Sequence, residues 1–521
     1  MASQVSELVK LPRELLDNVT SSLPTQDFNA LRLTCKELEA KIFPYWANCF
    51  FKKKQFMIDN FSLQALVDIS QHGALSKVLT YLVIGLDDLR AIDHRSPDLQ
   101  TLAGFGRWRS ADCAQQALLY GGDAVHLLTK ALVGLPNLKS IDIRDFNSKT
   151  RYRDAVAGNV PDWRSYGSSR YQQWSRETHW LLGYSSDPKF VETIFSVILA
   201  ALGRCSKTVE NLEVILRSQR LALGDDAFAV LAVPDDALAM AVSGLTKLHL
   251  DLKERDRRLS RLPLVQSAMV QSTMPEPDFF DPGTMHIRRL LGLARNVTWL
   301  RLNFCSDAHS ISTSNSPSKL LAWLALQPDF SPPLDTPWGG VNPAPITPPL
   351  RRLDLGRTTT TSTVLRRILT KFADLEHISM RDFHLQGRGG TSSPHQYATD
   401  GGGHCLWARL IRNLHFTNPK LKQIELLRIS EDAHGRNDRI VWSNRTNPTK
   451  CEDFTSTRIA ETASLEQLAE NTWTEARWYK ENRTAEGTDG ESMDEYVDEE
   501  EISEIEDLEE HFEEQLSEED E

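Results

Sequence analysis

Few residue combinations in this sequence could perform chemistry. Two glycine-rich stretches, Gly387-Arg-Gly-Gly and Gly401-Gly-Gly-His404, lack the Lys-Ser/Thr pair that a phosphate-binding loop requires. His404 and Cys405 are adjacent, which is not the spacing of a zinc-ligand pair, and no G-x-S-x-G nucleophile turn occurs. His and carboxylate residues are scattered, so composition does not exclude an enzyme, but no motif gives positive evidence of one. We expect a non-catalytic protein with no cofactor and no metal.

The stretch from Leu11 to Pro44 has the clearest pattern of a binding element. Aliphatic residues recur at helical spacing between Pro12, which suits the first helical position, and Pro24, which stops the run. The aliphatic residues of this stripe are Leu11, Leu15, Leu16, Val19 and Leu23.

Two more short helices are predicted in the same stretch. Asp27 can cap a segment that carries Phe28 and Leu31, and Thr34 and Glu37 fit a capping box for a helix that Pro44 would end. Three such helices enclose little apolar surface, although each Leu-sized side chain contributes roughly 1.5–3 kcal/mol when it is buried. We therefore expect these residues to pack against the rest of the chain or against another protein.

The same residues resemble an F-box. The Leu-Pro, acidic and aliphatic positions of that family are matched by Leu11, Pro12, Glu14, Leu15, Leu16, Val19, Leu23, Asp27, Phe28, Leu31, Arg32, Leu33 and Lys36. Two positions depart from the family: Leu38 stands where a Trp is frequent, and Cys35 replaces a small hydroxyl residue.

The resemblance implies docking onto the Skp adaptor of a cullin-RING ubiquitin ligase. The implied adaptor-binding residues are Leu11, Pro12, Leu15, Leu16, Val19, Leu23, Phe28, Leu31 and Leu33. It places an F-box at residues 8–52, followed by a helical linker at 53–78.

An apolar triple at positions i, i+3 and i+5 recurs along the chain. Its copies start at Leu79, Leu138, Val209, Leu245, Val297, Leu350, Leu375 and Leu421. The strings Leu138–Phe146 and Leu375–Phe383 agree at five of nine positions, and helix-like segments lie between copies. A short strand and a helix in repetition resemble a degenerate leucine-rich repeat solenoid, so the sequence predicts an irregular α/β solenoid over 79–430.

The copies start 25 to 71 residues apart, whereas a regular repeat has about 20–29 residues. The additional residues between copies predict insertions at 147–188, 306–349 and 386–403. The first insertion is rich in Trp, Tyr and Arg, which are enriched at interaction hot spots. Its candidate client-binding residues are Trp163, Arg164, Tyr166, Tyr171 and Trp174. The interpretation that the composition favours most, however, is that the aromatic residues fold back over the repeats. A protein interface comes second, and stacking with single-stranded nucleic acid comes last.

The C-terminal part is predicted as a cap or polar helix at 431–484 and a disordered acidic tail at 485–521. The tail has 20 Asp and Glu residues without Lys or Arg, and since the chain total is −13, the preceding residues have a formal charge of +7. A block of like charge is typical of a solvated polyanion, which could also screen the basic body or bind a basic partner.

Seven scattered cysteines without a C-x-x-C pair indicate a reducing compartment. The most apolar run, Thr193 to Leu202, is too short to span a membrane, and no secretory signal is recognisable. We expect a protein of the cytoplasm, the nucleus or both, without membrane contact. The resemblance implies the substrate-recognition subunit of a Skp-cullin-F-box ubiquitin ligase with an unknown protein client. The alternatives are a non-ligase F-box scaffold, or a protein that binds a basic partner or nucleic acid.

Overall fold

The structure is a computed structural model that describes most of the chain. The described residues are 7–91, 101–146, 165–174, 187–218, 220–230, 233–253, 282–305, 318–328, 346–387, 405–433, 436–443, 451–452, 458–461 and 465–474. They form two compact units, the first before residue 187 and the second from Asp187 onward. The predicted tail at 485–521 lies outside the described residues, as do most residues of the three predicted insertions.

The first unit begins with four helices. They are α1 (Glu7–Lys10), α2 (Arg13–Ser21), α3 (Thr25–Arg32) and α4 (Lys36–Phe51). The prediction that Pro44 ends the last helix is wrong, because Pro44 lies inside α4. A proline removes one helical hydrogen bond, but Ile42 and Phe50 on either side of it are buried and hold both halves of α4 against α2 and α3.

The predicted capping box of α4 does not form either. Cys35 is the N-cap, and its Sγ accepts a hydrogen bond from the Leu38 N–H over 3.4 Å. The Thr34 hydroxyl instead donates to the Leu31 carbonyl at the end of the preceding helix, over 2.8 Å. The thiol at position 35 therefore takes the capping role that the sequence pattern assigned to the neighbouring hydroxyl.

A parallel three-stranded sheet completes the first unit. Its strands are β1 (Lys53–Met57), β2 (Tyr81–Gly85) and β3 (Ser140–Arg144), and its helices are α5 (Asn60–Gln71), α6 (Leu75–Val78), α7 (Leu102–Tyr120) and α8 (Asp123–Val133). The segment predicted as a helical linker thus begins with a strand. Gln55, Phe56 and Met57 are all buried there, and the strand pairs in parallel with β2.

The second unit contains six parallel strands in chain order. They are β4 (Asn211–Ile215), β5 (Lys247–Lys253), β6 (Trp299–Cys305), β7 (Arg352–Thr361), β8 (His377–Gln386) and β9 (Gln423–Leu427). The helices between and beside them are Pro188–Cys205, Asp235–Val242, Met285–Leu293, Lys319–Leu324, Ser362–Lys371 and Leu406–Thr417. This confirms a mixed α/β protein with parallel strands and intervening helices.

The recurring apolar triple forms the core of both sheets. No residue of the eight triples is more than 4 % exposed. Equivalent triple positions are also direct partners in neighbouring strands, as in Leu248 with Leu300 and Leu353 with Ile378. The triple therefore sets the register of the strands, because a shift by one residue would turn the apolar side chains away from the helices.

Part of a predicted insertion belongs to this core. The helix Lys319–Leu324 lies within 306–349, and its residues Leu320, Leu321, Trp323 and Leu324 are buried. The prediction of a continuous insertion over 306–349 is corrected accordingly, since these side chains give the segment an apolar face that packs in the unit.

The C-terminal part is mainly antiparallel. Its elements are β10 (Ser430–Ala433), β11 (Arg436–Ser443), β12 (Cys451–Glu452), β13 (Arg458–Glu461), a helix Leu465–Glu470 and β14 (Thr472–Thr474). Strand β13 pairs antiparallel with β9, and β11 pairs with β10, β12 and β14. Within the described part of 431–484, helix is limited to Leu465–Glu470, whereas Ile440, Val441 and Trp442 are buried in strand. The alternative of a cap stays a prediction.

Candidate interaction surfaces

The N-terminal helices have their own apolar core. Its buried members are Val9, Leu16, Phe28, Leu38, Ile42 and Phe50, with Leu11, Leu23, Leu31, Tyr45, Trp46, Cys49 and Phe51 packed around them. Leu16 and Phe28 are 0 % exposed. Their inclusion among the predicted adaptor-binding residues is corrected, because a fully buried side chain does not contact a partner at the surface. The covering surface is α4, a helix that the sequence predicts to end at Pro44 but that continues to Phe51.

Three of the predicted adaptor-binding residues are strongly exposed instead. Leu15 is 49 % exposed, Val19 42 % and Leu33 69 %. Leu15 and Val19 are four residues apart in α2 and so lie on one side of that helix, whereas Leu33 is the C-cap of α3. Pro12 is exposed at the N-cap of α2, and Leu11, Leu23 and Leu31 are half-buried.

Polar contacts fix α3 against α4. The Trp46 indole N–H donates to Asn29 Oδ1 over 2.8 Å, and the Arg32 guanidinium lies 3.8 Å from the centre of the Trp46 ring. Arg32 also pairs with Glu39 over 3.3 Å. The position of Leu33, directly after Arg32, is therefore held by the rest of the helical cluster.

The structure describes the side chains of only two of the five predicted client-binding residues, Tyr166 and Tyr171. Trp163 and Arg164 lie outside the described residues, and Trp174 ends a 3₁₀ helix, Ser168–Trp174, in which its side chain is not described. Tyr166 and Tyr171 fold back onto the first unit. The Tyr166 N–H donates to the Gln55 carbonyl of β1 over 2.9 Å, and the Tyr171 hydroxyl donates to Asp59 Oδ2 over 2.7 Å.

A buried polar cluster anchors this returning segment at the carboxyl ends of β1 and β2. The Ser165 hydroxyl donates to Asp87 Oδ2 and accepts from the Gln55 side-chain amide over 2.9 Å. Burial raises the pKa of Asp87 to about 6, although the hydrogen bond from Ser165 acts to lower it. Burial also raises the pKa of Asp59. Sequence reasoning missed both carboxylates, although each stands two residues after the last residue of a strand, where parallel sheets commonly place polar groups.

A second row of polar residues lies on the sheet of the second unit. Trp299 is the register partner of both Lys247 and Arg352. The Lys247 ammonium and the Arg352 guanidinium lie 4.1 Å and 4.0 Å from the centre of its ring, and its indole N–H donates to Asp354 over 2.7 Å. Burial opposes ionisation of Asp354, but the Arg352 charge and the Trp299 hydrogen bond outweigh it and lower the pKa of the carboxyl. Arg352 pairs with Asp354, and Lys247 pairs with Glu213 of β4, each over 3.1 Å.

A serine, a histidine and an aspartate meet between β8 and β10. His384 Nδ1 lies 2.9 Å from Ser430 Oγ, and His384 Nε2 lies 3.2 Å from Asp432 Oδ1. These are the residue types of a hydrolase triad. However, Ser430 is the direct strand partner of His384, so the pairing of β10 with β8 already accounts for these contacts. We assign these three side chains a structural role, in which they hold β10 against β8.

Two further findings for the described residues concern metal sites and membrane spans. Within them, no group of three or more His, Cys, Asp or Glu side chains is arranged to hold a metal ion. No helix in the same part of the chain is long and apolar enough to cross a membrane.

Comparisons with known proteins add little. No family model matches the chain, and no curated protein matches it. Among solved structures, the chain is similar to the leucine-rich repeat-containing protein LegL7 from Legionella pneumophila, with 11 % sequence identity and a TM-score of 0.24. The match covers 74 % of this chain and 92 % of LegL7. The description of the repeats above therefore rests on the strand register and the buried triples.

Proposed function

We propose that this chain is the substrate-recognition subunit of a Skp-cullin-F-box ubiquitin ligase. In this proposal the N-terminal helices are an F-box that binds the Skp adaptor, and the remaining surface binds a protein client. The chain performs no bond chemistry; it raises the effective concentration of the client at the ligase.

The exposure of Leu15, Val19 and Leu33 is the observation that supports this proposal. These three aliphatic residues belong to the F-box-like pattern, yet they do not enter the core that buries Leu16 and Phe28. The helices that carry these side chains are held in place by the apolar core on their other side. Exposed aliphatic side chains on such helices are suited to burial against a partner, where each contributes roughly 1.5–3 kcal/mol.

The test is capture of a recombinant Skp adaptor by the full chain. We expect Leu15→Asp combined with Leu33→Asp to abolish capture, because two charges would be buried without partners. Val133→Asp is the matched control, since Val133 is a 68 % exposed aliphatic residue on α8, outside the F-box-like pattern. Equal capture by the double variant and the control would show that the F-box assignment is wrong.

A second readout distinguishes a ligase subunit from a scaffold. If the adaptor and the cullin both co-purify with the chain, proteasome inhibition should increase the amount of a client that also co-purifies. Assembly without such an increase would favour the non-ligase scaffold.

A further inference from the structure

Three neighbouring helices of the second unit carry basic residues and no acidic residue. They are Lys319–Leu324, Ser362–Lys371 and Leu406–Thr417, and the middle helix packs against both of the others. All of their basic residues are exposed or half-buried. We call this group the basic helix face, which consists of Lys319, Arg366, Arg367, Lys371, Arg409 and Arg412.

The repeat geometry places cations of adjacent helices side by side. Leu365 and Ile411 are fully buried, and each lies ten residues before the start of the next apolar triple, so the two helices align at these residues. Arg366 and Arg412 follow them directly and therefore occupy equivalent positions on adjacent helices. Since the axes of packed helices are about 8–10 Å apart, the basic side chains of successive helices form one strip of positive charge.

The arginines of this face are not neutralised by the described chain. Arg366 and Arg367 are exposed and Arg409 is half-buried. Within the part of the chain that the structure describes, no carboxylate lies at ion-pair distance from any of the three. A guanidinium in this state can offer its N–H groups to a carboxylate from elsewhere, with which it forms charge-assisted hydrogen bonds.

Lys371 likewise has no counter-charge among the described residues. Its ammonium donates to the carbonyls of Leu324 and Leu326 over 2.9 Å and 2.5 Å, and both acceptors are neutral. Burial lowers the pKa of Lys371 to about 8, and no described carboxylate acts against this shift. An anionic group on the face would therefore stabilise the protonated amine.

The predicted acidic tail begins within reach of this face. The last described strand, β14, ends at Thr474, and the Thr472 carbonyl accepts from the Cys405 thiol over 3.7 Å at the start of Leu406–Thr417. Ten residues separate Thr474 from the tail at 485–521, and a segment of this length spans at most about 36 Å when extended. The tail can thus reach all three helices, since two helix spacings amount to about 20 Å.

We propose that the tail at 485–521 docks on the basic helix face of its own chain. The tail has 20 carboxylates and no Lys or Arg, whereas the three helices have six cations and no carboxylate, so their charges are complementary. A single exposed ion pair is weak, but a tethered segment is present at an effective concentration in the millimolar range. Several weak contacts are therefore sufficient for docking.

This inference goes beyond the proposed function and does not rest on it. Neither the tail nor the basic helix face belongs to the F-box-like pattern, so adaptor capture and tail docking succeed or fail separately. A polyanionic partner of the face would have to displace the tail, which makes this surface one that the chain itself can cover.

The test is carbodiimide cross-linking of the full chain, which joins a carboxylate to a lysine amine in contact with it. Peptide mass spectrometry then identifies the lysines that are joined to the tail. We expect cross-links from the tail to Lys319 and Lys371 at low salt, and fewer of them as salt is added, because exposed charges are screened. In a mixture of isotope-labelled and unlabelled chains, these cross-links should join peptides that carry the same label.

Two matched double variants test the role of charge. Arg366→Gln with Arg367→Gln should lower the yield of these cross-links about threefold or more, because two exposed ion pairs are lost while both lysines remain. Gln has nearly the helix propensity of Arg, so the helix is retained. The control, Arg107→Gln with Lys130→Gln, removes two charges from exposed positions on α7 and α8 and should leave the yield unchanged.

Four results would overturn the proposal. They are no cross-link from the tail to Lys319 or Lys371 in the unaltered chain, equal yields in the two double variants, a yield that salt does not change, and cross-links only between differently labelled chains. The last result would assign the tail to a second copy of the chain. If tail cross-links are absent, a labelled oligothymidine that binds the unaltered chain but not the Arg366→Gln and Arg367→Gln variant would assign the face to nucleic acid.

Discussion

The guanidinium of Arg428 donates to both carboxylate oxygens of Asp382, over 2.6 Å and 2.8 Å. Both residues have a left-handed backbone, with φ of 48° and 49°, and Arg357 repeats this conformation with φ of 51°. Each of the three is the seventh residue after the start of an apolar triple, at Leu350, Leu375 or Leu421. Three consecutive repeats thus bend at one position, and the last two bends are joined by a bidentate ion pair.

The ion pair and the backbone bend can be tested separately at Arg428. We expect Arg428→Ala to lower the free energy of unfolding by about 1–2 kcal/mol, since it removes a half-buried ion pair. The Cβ, and with it any strain of the left-handed backbone, stays as in the unaltered chain. Arg428→Gly should cost about 1 kcal/mol less, because glycine adopts this conformation freely. Urea unfolding measures both variants, and equal losses would show that the bend is not strained.

The division of the N-terminal aliphatic residues into core and surface predicts opposite effects of truncation. Phe28→Ala should lower the free energy of unfolding by about 3–5 kcal/mol, because it leaves a cavity in the helical core. Leu33→Ala should change it by no more than about 0.5 kcal/mol, as for most surface substitutions. Circular dichroism during urea unfolding checks this, and a large loss in Leu33→Ala would place Leu33 in the core.

The buried cluster at the ends of β1 and β2 depends on the absence of a side chain at Gly85. A Cβ there would lie 2.2 Å from Ser165 Oγ, 2.6 Å from Asp87 Oδ2 and 2.7 Å from Gln55 Nε2. We expect Gly85→Ala to lower the free energy of unfolding by about 1–3 kcal/mol through overpacking, and to release the segment around Ser165.

Limited proteolysis of the intact chain would detect that release as faster cleavage near residues 165–174. Gly73→Ala is the control, because nothing lies within 4 Å of the Cβ that it adds. Its cleavage pattern should match that of the unaltered chain, and a matching pattern in Gly85→Ala as well would contradict the anchoring role of the cluster.

Asp87 predicts a specific dependence of stability on pH. Its pKa is raised by burial to about 6 from the ordinary 3.8, so the folded state binds the proton more tightly than the unfolded state does. The stabilisation from this group is complete below pH 3.8 and is lost as the pH rises through about 6. At roughly 1.4 kcal/mol for each pKa unit, the loss amounts to about 3 kcal/mol.

The Asp87→Asn variant should lack this loss, because its side chain stays neutral. The free energy of unfolding of the first unit at pH 5 and pH 7.5 is the measurement. Asp68→Asn, at an exposed position on α5, should keep the pH dependence of the unaltered chain. The same pH dependence in Asp87→Asn would show that other groups cause it.

Sequence reasoning succeeded where a pattern is local and periodic. The apolar triples fix both the strands and their register, because three inward residues in six determine which face of a strand meets the helices. The missed strand β1 lacks such a triple, and its lysines Lys53 and Lys54 suit the edge of a sheet rather than its centre.

The sequence by itself determined that Leu15 and Leu16 belong to a helix, but it could not assign one to the surface and the other to the core. That division depends on α4, which continues through Pro44 and covers Leu16 while Leu15 stays exposed. Likewise, Phe61 and Tyr166 are far apart in the chain and stack only because a returning segment bonds to β1. Burial and contact depend on which distant elements pack together, and a local pattern does not contain that information.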